Sequence, residues 1–149
     1  MQIKLLIEIE NIKKIMHHPK IWKNISEDNC EVEPIIIPDV VDYWGIYDED
    51  LMGFYRIDRI SSCCKEFHTA LTPEIWGKRS KMARDLMYEK IKIYYPFCRT
   101  LITKVPSYNR LALKYAKDGG MSEVGILKDS WNSSIFGLCD LIILSREVS

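Results

Sequence analysis

The sequence has no surplus of charge of either sign. Its 149 residues include 21 Lys and Arg and 21 Asp and Glu, so the formal net charge is zero. Binding to nucleic acid or to an anionic membrane draws on a basic excess, and we expect neither partner. A long apolar run is also absent. The N-terminal stretch MQIKLLIEIE is interrupted by charges and indicates neither a signal peptide nor a membrane span.

A disulfide framework is missing as well. The chain has five cysteines, an odd number at scattered spacings, and the adjacent pair Cys63–Cys64 is not a CxxC motif. Reduced thiols are therefore expected, which favours the cytoplasm as the compartment. The adjacent His17 and His18 do not predict a metal site, because neighbours on a helix do not face one another and no further ligand lies nearby in the sequence.

The sequence does contain the hydrophobic periodicity of a single domain spanning residues 1–149, since apolar residues make up 47% of the chain. The predicted N-terminal elements are a strand Gln2–Glu10, a helix over IKKIMHH with Asn11 as N-cap, a helix over KIWKNI with Pro19 in its first turn, an extended connector Ser26–Asp42 with at most one edge strand, and strands Asp42–Asp48, Leu51–Ile60 and Lys65–Leu71. The predicted C-terminal elements are a helix Ser80–Tyr94, a strand Arg99–Val105, a helix Tyr108–Lys117 between caps at Ser107 and Gly119–Gly120, and strands SEVGILKD and FGLCDLIILS joined by the turn WNSS.

The order of these elements predicts the fold class. A strand–helix–strand crossover surrounds the long helix, so the strands before and after it should be parallel. The remaining strand pairs are hairpins and should be antiparallel. We therefore expect an α/β (α+β) protein with a mixed, mostly antiparallel sheet of about six or seven strands and about four helices.

The stretch Cys64–Leu86 combines a strand, a proline turn and the start of the long helix. Free N–H groups at a helix N-terminus form a common site for phosphate or another anion. The turn also carries Gly77, Lys78, Arg79 and Lys81. It therefore predicts an anion site, with a solvated basic helix start as the alternative.

Four motifs in this order resemble the GNAT superfamily of N-acetyltransferases, over residues 2–147. They are the aromatic hairpin WGIYDEDLMGFYRI with Gly53–Phe54, the strand and turn TALTPEIWGK with Leu71, Pro73 and Gly77, the block VPSYNRLALKYAKDGGM with Asn109, Ala112, Gly120 and Met121, and the last strand DLIILSRE. More narrowly, HHPKIWKNISEDN, FHTALTPEIWGK and VPSYNRLAL look like GNAT-like proteins encoded by tailed bacteriophages.

The resemblance implies a GNAT-like sheet whose fourth and fifth strands are parallel and splay apart at the centre. It implies that the pantetheine arm of acetyl-CoA lies in this gap and pairs with the main chain of the fourth strand. The pyrophosphate would lie over the following turn, and Asn109 would hydrogen-bond near the pantetheine. The cofactor-binding residues implied are Thr69, Ala70, Leu71, Gly77, Lys78, Arg79, Ser80, Lys81 and Asn109.

Two departures from the family pattern bear on activity. The turn usually has an Arg or Gln followed by glycines that let the backbone approach phosphate, but these positions are Trp76, Arg79 and Lys81. Arg79 and Lys81 either replace backbone donors with charge-assisted bonds or fill the site. Many GNAT enzymes also have a Tyr seven residues after the Asn, and this Tyr is the acid that protonates the leaving thiolate. This position is Ala116, and the adjacent Tyr115 points about 100° away on a helix.

Glu66 and His68 are the candidates for a general base. They share one face of the predicted strand, so both would look into the cleft. An amine must lose a proton before it attacks a thioester, and a His, or a carboxylate acting through water, can take it. The structural alternative is a His packed between strand and helix. The predicted catalytic set is His68, Glu66 and Tyr115.

Two functions remain open from the sequence. The first is an N-acyltransferase that moves an acetyl group from acetyl-CoA to a small-molecule or protein amine. The second is a catalytically inactive GNAT-fold bacteriophage protein with a structural, virion-associated or interaction role. It would act in the virion or the host cytoplasm, with phage or host protein partners or as a homo-oligomer. The motif order favours the first function, and the departures at Trp76, Arg79, Lys81 and Ala116 favour the second.

Overall fold

The computed structural model describes residues 1–25 and 40–149, which form a seven-stranded sheet flanked by helices. The strands are β1 (Gln2–Leu5), β2 (Val41–Asp48), β3 (Asp50–Arg59), β4 (Cys64–Leu71), β5 (Thr100–Pro106), β6 (Ser122–Ser133) and β7 (Gly137–Glu147). The helices are α1 (Ile9–Met16), α2 (Pro19–Ile25), α3 (Lys78–Tyr94) and α4 (Arg110–Asp118), with a 3-10 turn at Pro73–Ile75. No helix in this part of the chain is long and apolar enough to cross a membrane.

The strands lie in the order β1-β2-β3-β4-β5-β7-β6. β4 and β5 are parallel, and every other neighbouring pair is antiparallel. This arrangement confirms the predicted fold class and the predicted crossover around the long helix. It places the β4–α3 turn and the end of β5 at the same edge of the sheet.

Each face of the sheet is covered by a different pair of helices. On one face, which we call the α1 face, α1 and α2 pack with Ile12, Ile15 and Ile21 against Phe54 and Ala70. On the opposite face, the α3 face, α3 and α4 form the larger core, which includes the buried residues Met87, Ile91, Ala116, Tyr55, Phe67, Leu101 and Leu144. Because side chains alternate along β4, Glu66 and His68 share the α1 face with Ala70, and Thr69 and Leu71 share the α3 face with Phe67.

The N-terminal strand is shorter than its alternating sequence predicts. β1 ends at Leu5, and α1 begins at Ile9 behind Glu8, so the predicted strand Gln2–Glu10 and the Asn11 cap are wrong. Buried residues recur at helical spacing in α1, whereas Ile9 is exposed, and the helical face decides the boundary. Pro19 begins α2 as predicted. The expected connector with an edge strand falls largely on residues 26–39, outside the described residues.

Two boundaries in the C-terminal half also differ from prediction. α4 begins at Arg110, and Asn109 rather than Ser107 is its N-cap, because the Asn109 side chain accepts a hydrogen bond from the Ala112 N–H at 3.1 Å. Most of the sequence WNSS is not a turn. Trp131 to Ser133 continue β6, and the Ser133 hydroxyl accepts the N–H groups of Ile135 and Phe136 at the tip.

Candidate functional site

The centre of the sheet contains a fork between β4 and β5. Their parallel pairing covers Cys64–Thr100, Lys65–Leu101 and Glu66–Ile102 and then stops, although β4 continues to Leu71 and β5 to Pro106. Beyond Glu66, the described residues of β4 have no strand partner on the β5 side. The fork therefore leaves main-chain groups of β4 available to an extended ligand, in agreement with the splayed strands that the family resemblance implies.

A polar cluster lies on the α1 face at the base of the fork. His68 Nε2 is 3.4 Å from Glu66 Oε1 and 3.5 Å from Asp58 Oδ2, and the His68 side chain is 36% exposed. Carboxylates only accept hydrogen bonds, so they hold the proton on Nε2 and leave Nδ1 with the lone pair. The predicted candidates Glu66 and His68 are thus brought together, and His68 is accessible from solvent.

The carboxylates of this cluster are themselves held by cations. Arg56 Nε and Nη2 donate to Asp58 at 2.6 and 2.5 Å. Burial raises the pKa of Asp58, but the hydrogen bonds from His68 and Arg56 outweigh it and bring the pKa below its ordinary value. On the other side of the fork, Lys104 Nζ donates to Glu66 Oε2 at 3.0 Å and so links β5 to β4. Asp58 is therefore an ionised base rather than a proton donor, and Glu66 is paired with a cation.

Sequence reasoning missed Arg56, Asp58 and Lys104. The signal was present in the alternation of β3, which places Arg56 opposite His68 and Asp58 opposite Glu66 in the antiparallel register. The register depends on the hairpin turn and could not be fixed from residue types alone. Lys104 is brought to Glu66 only by the parallel crossover.

The β4–α3 turn has the backbone of an anion site at the start of a helix, but its basic side chains are already paired with acidic residues. Gly77 precedes α3 with φ at 82°, and a Cβ added there would meet nothing within 4 Å. Arg79 contacts the Asp48 carboxylate, and Lys81 Nζ is 2.9 Å from Asp118 Oδ2. Ser80 Oγ donates to the Gly77 carbonyl at 2.8 Å. The two cations that replace glycines are thus paired with acids.

Trp76 already donates a hydrogen bond to one of the main-chain carbonyl groups of β4 at the fork. Its indole Nε1 donates to the Leu71 carbonyl at 3.1 Å, although the ring is 46% exposed. Among the main-chain groups implied to bind pantetheine, those of Thr69 and Ala70 have no such side-chain bond in the described residues. The departure at Trp76 therefore has a specific structural consequence.

Tyr115 joins α4 to α3 and β3 on the α3 face. Its hydroxyl donates to the Ser80 carbonyl at 3.0 Å and lies 2.9 Å from the Tyr55 hydroxyl. Arg84 Nη1 donates to the Tyr115 carbonyl at 3.1 Å. Burial raises the pKa of Tyr115, so the phenol is neutral at physiological pH. With the Lys81–Asp118 pair, these contacts tie the first two turns of α3 to α4.

A depression of about 430 Å³ lies away from the fork, between β1, β2 and the end of α3. It is lined in part by Trp44, Lys90 and Tyr94, and it contains none of the predicted site residues. Lys90 Nζ covers the rings of Trp44 and Tyr94 at 5.6 and 5.4 Å. This depression is therefore separate from the predicted catalytic and cofactor-binding residues. We define the candidate site by those residues and not by the depression.

The architecture is similar to solved structures that include N-acetyltransferases. Spermidine N-acetyltransferase from Vibrio cholerae, in complex with CoA and spermine, is 17% identical, with a TM-score of 0.77 over 99% of this chain and 96% of that chain. The protein smu.2055 from Streptococcus mutans UA159 is 16% identical, with a TM-score of 0.77 over 100% of both chains. No family model and no curated protein matches the sequence. At these identities the similarity establishes the GNAT fold, and function must be argued from the site.

Proposed function

We propose that the protein is an N-acyltransferase that moves an acetyl group from acetyl-CoA to the amine of a small-molecule or protein acceptor. The observation that carries this proposal is the β4–β5 fork with Glu66 and His68 at its base on the α1 face. The similar Vibrio cholerae structure contains CoA and spermine, which supports a thioester donor and an amine acceptor for this fold. Acetyl-CoA, when bound, would supply the activated acetyl group.

The cofactor would be held by main-chain groups rather than by a pocket of side chains. We assign the pantetheine to Thr69, Ala70 and Leu71 along the fork, and the pyrophosphate to the N–H groups of residues 77–80 at the start of α3, since the Lys81 N–H already donates to the Gly77 carbonyl. The absence of a side chain at Gly77 keeps this backbone open. Lys78, Arg79, Ser80 and Lys81 surround the turn, and Asn109 lies at the start of α4.

His68 is the proposed general base. Because two carboxylates lie within 3.5 Å of Nε2, they favour the neutral ring with its proton on that nitrogen, and Nδ1 would accept the proton that the ammonium group of the acceptor must lose. The amine nitrogen would then bond to the acetyl carbon and lose its second proton to solvent as the carbon–sulfur bond breaks, which leaves the amide. Asp58 and Glu66 stabilise the resulting imidazolium, which returns its proton to solvent.

The leaving thiolate would take a proton from an acid, and Tyr115 is the proposed residue, whose phenolate then regains a proton from solvent. Its phenol is neutral, because burial raises its pKa, and it lies beside Tyr55 on the α3 face. To act, its hydroxyl must exchange the hydrogen bond to the Ser80 carbonyl for one to sulfur. Ala116 is buried in the core and has no ionisable group to offer.

A matched pair of substitutions tests the cofactor site. Gly77 has φ 82° and ψ −131°, outside the left-handed region that Asn and Asp tolerate, so Gly77→Asp and Gly77→Asn strain the turn alike and differ only in charge at the helix N-terminus. Titration calorimetry should show acetyl-CoA binding to wild type and to Gly77→Asn, and about tenfold weaker binding to Gly77→Asp, because a carboxylate repels the pyrophosphate. Equal affinities would exclude the pyrophosphate from this turn, and no binding to wild type would contradict the proposal.

The contacts of α3 with α4 and β2 favour a second candidate, a GNAT-fold protein without catalysis. Arg79 is paired with Asp48, and Lys81 is paired with Asp118. The Tyr115 hydroxyl donates to the Ser80 carbonyl. The groups around the proposed cofactor site are therefore already bound to other protein groups. The resemblance to bacteriophage proteins belongs to this alternative, with a structural or virion-associated role and phage or host protein partners. Binding of acetyl-CoA by Arg79→Gly/Lys81→Gly but not by wild type would support it.

A further inference from the structure

We propose that the outer face of α3 is a contact surface for a second copy of this chain, packed antiparallel across a two-fold axis. The surface consists of Met82, Leu86 and Ile93, which we call the outer stripe. These side chains are 50%, 44% and 73% exposed. At 100° per residue they fall within about 40° of one another on the helix. Phe97, just beyond the helix, is 74% exposed.

The outer stripe is not part of the core. The residues that α3 buries against the sheet include Ala83, Met87 and Ile91, which point in a different direction from the stripe. An apolar row on the solvent side of a helix whose other side is already packed marks an interaction surface rather than a folding requirement.

The charges beside the stripe identify the occupant as a second copy. Asp85 and Lys92 lie on the same flank of the outer stripe, seven residues apart and of opposite sign. In an antiparallel pair related by a two-fold axis, one flank meets the same flank of the other copy. Aligning Asp85 of each copy with Lys92 of the other forms two identical ion pairs. The Asp85 side chain is 67% exposed, although its Oδ1 already accepts hydrogen bonds from Arg84 at 3.1 Å, and the Lys92 side chain is 40% exposed.

The same alignment matches the apolar residues. With the two-fold axis between residues 88 and 89, Ile93 of one copy lies level with the space between Met82 and Leu86 of the other. The ridge of one helix thus enters the gap of its partner, as in close helix packing. One alignment therefore satisfies both the charge pattern and the apolar pattern.

Glu89 works against the pairing. It lies within the outer stripe close to the two-fold axis, so the two copies would bring their Glu89 carboxylates together. Its ion pair with Lys92 within the same chain, at 2.9 Å, offsets part of this repulsion. We therefore infer a reversible dimer, which Glu89→Gln should tighten by about tenfold.

Sedimentation equilibrium of the full chain over a wide concentration range tests the proposal. Wild type should reach twice the chain mass of 17.5 kDa. Ile93→Lys should weaken dimerisation by at least about tenfold, because it places a charge in the apolar contact. The matched control Leu138→Lys, at a residue 66% exposed on β7, should have no effect. Circular dichroism checks that each variant is folded.

Charge reversal provides an independent test. Lys92→Glu places like charges opposite Asp85 and should weaken the dimer, and the double variant Asp85→Lys/Lys92→Glu should restore it. A wild type that stays monomeric overturns the proposal. So does a dimer that Leu138→Lys disrupts and Ile93→Lys does not, which would place the interface at the β6–β7 hairpin.

Discussion

The imidazole of His68 is fixed at one nitrogen by two acids. Asp58 and Glu66 lie 3.5 and 3.4 Å from Nε2, and each acid is held in turn by a cation, Arg56 or Lys104. This chain of alternating charge keeps a histidine ring oriented at the surface of a sheet without burying it. Orientation of this kind is what a general base needs in order to meet a mobile amine.

Acid unfolding should report the ion pairs of Asp58. Its pKa is lowered in the folded protein, so its contribution to the free energy of unfolding is complete above the ordinary value of 3.8 and is lost as the pH falls below it. Asp58→Asn should therefore destabilise the protein at neutral pH, and the difference from wild type should shrink below about pH 4. Urea unfolding at several pH values measures this difference.

The control for this experiment is Asp50→Asn at the exposed start of β3, which should leave the stability unchanged. A difference between wild type and Asp58→Asn that stays constant down to pH 3 would show that the substitution acts through packing. The role assigned to the Arg56–Asp58–His68 chain would then be wrong.

At the scale of single elements, Asn109 has a role that needs no cofactor. Its side chain accepts the Ala112 N–H and caps α4. Asn109→Ala should lower the free energy of unfolding by about 1 kcal/mol, and Asn109→Ser should retain most of the stability. If Asn109→Ser keeps stability but weakens acetyl-CoA binding, Asn109 also contacts the cofactor. A loss of stability in Asn109→Ser as large as in Asn109→Ala would contradict the capping role.

In the turn after β4, one substitution can likewise distinguish a structural role from a role in cofactor binding. Trp76→Phe keeps an aromatic ring but removes the N–H that occupies the Leu71 carbonyl. If that carbonyl pairs with pantetheine, the variant should bind acetyl-CoA about fivefold more tightly, since one hydrogen bond becomes available. Trp22→Phe in α2 is the matched control and should bind as wild type. Weaker binding by Trp76→Phe would mean that the indole itself supports the site.

The sequence was informative wherever local pattern and tertiary packing agree. The β2–β3 hairpin, β4, α3 and the parallel β4–β5 pair were predicted, because alternation, turn residues and crossover rules act over short distances. The end of β1 was missed because Ile7 and Ile9 continue its apolar alternation, although both are exposed and Ile9 already lies in α1. The cap of α4 was missed because Ser107 and Asn109 both have side chains that can cap a helix. Propensity alone does not settle such boundaries.

The candidate site was predictable only in part for the same physical reason. His68 and Glu66 follow from alternation along one strand. Arg56, Asp58 and Lys104 reach them from β3 and β5, and these contacts depend on strand register. The pairing of Arg79 with Asp48 and of Lys81 with Asp118 likewise joins residues far apart in the chain. A sequence gives the charges of such residues but not their partners.

At the scale of the whole molecule, the fork connects two separate surfaces. The His68 cluster lies on the α1 face, and the β4–α3 turn and Tyr115 lie towards the α3 face. A donor entering beside α3 and an acceptor arriving from the α1 side would meet only where β4 and β5 part. The proposed activity therefore depends on this opening more than on any single side chain.

Acetyl transfer itself is the most direct test. Release of free thiol from acetyl-CoA should be measured with a panel of small amines and amine-bearing peptides, using wild type, His68→Gln and the control His18→Gln. We expect amine-dependent release by wild type and His18→Gln, and a rate about 100-fold to 10,000-fold lower for His68→Gln. Saturable binding of acetyl-CoA without release for any amine, or equal rates for wild type and His68→Gln, would contradict the central claim.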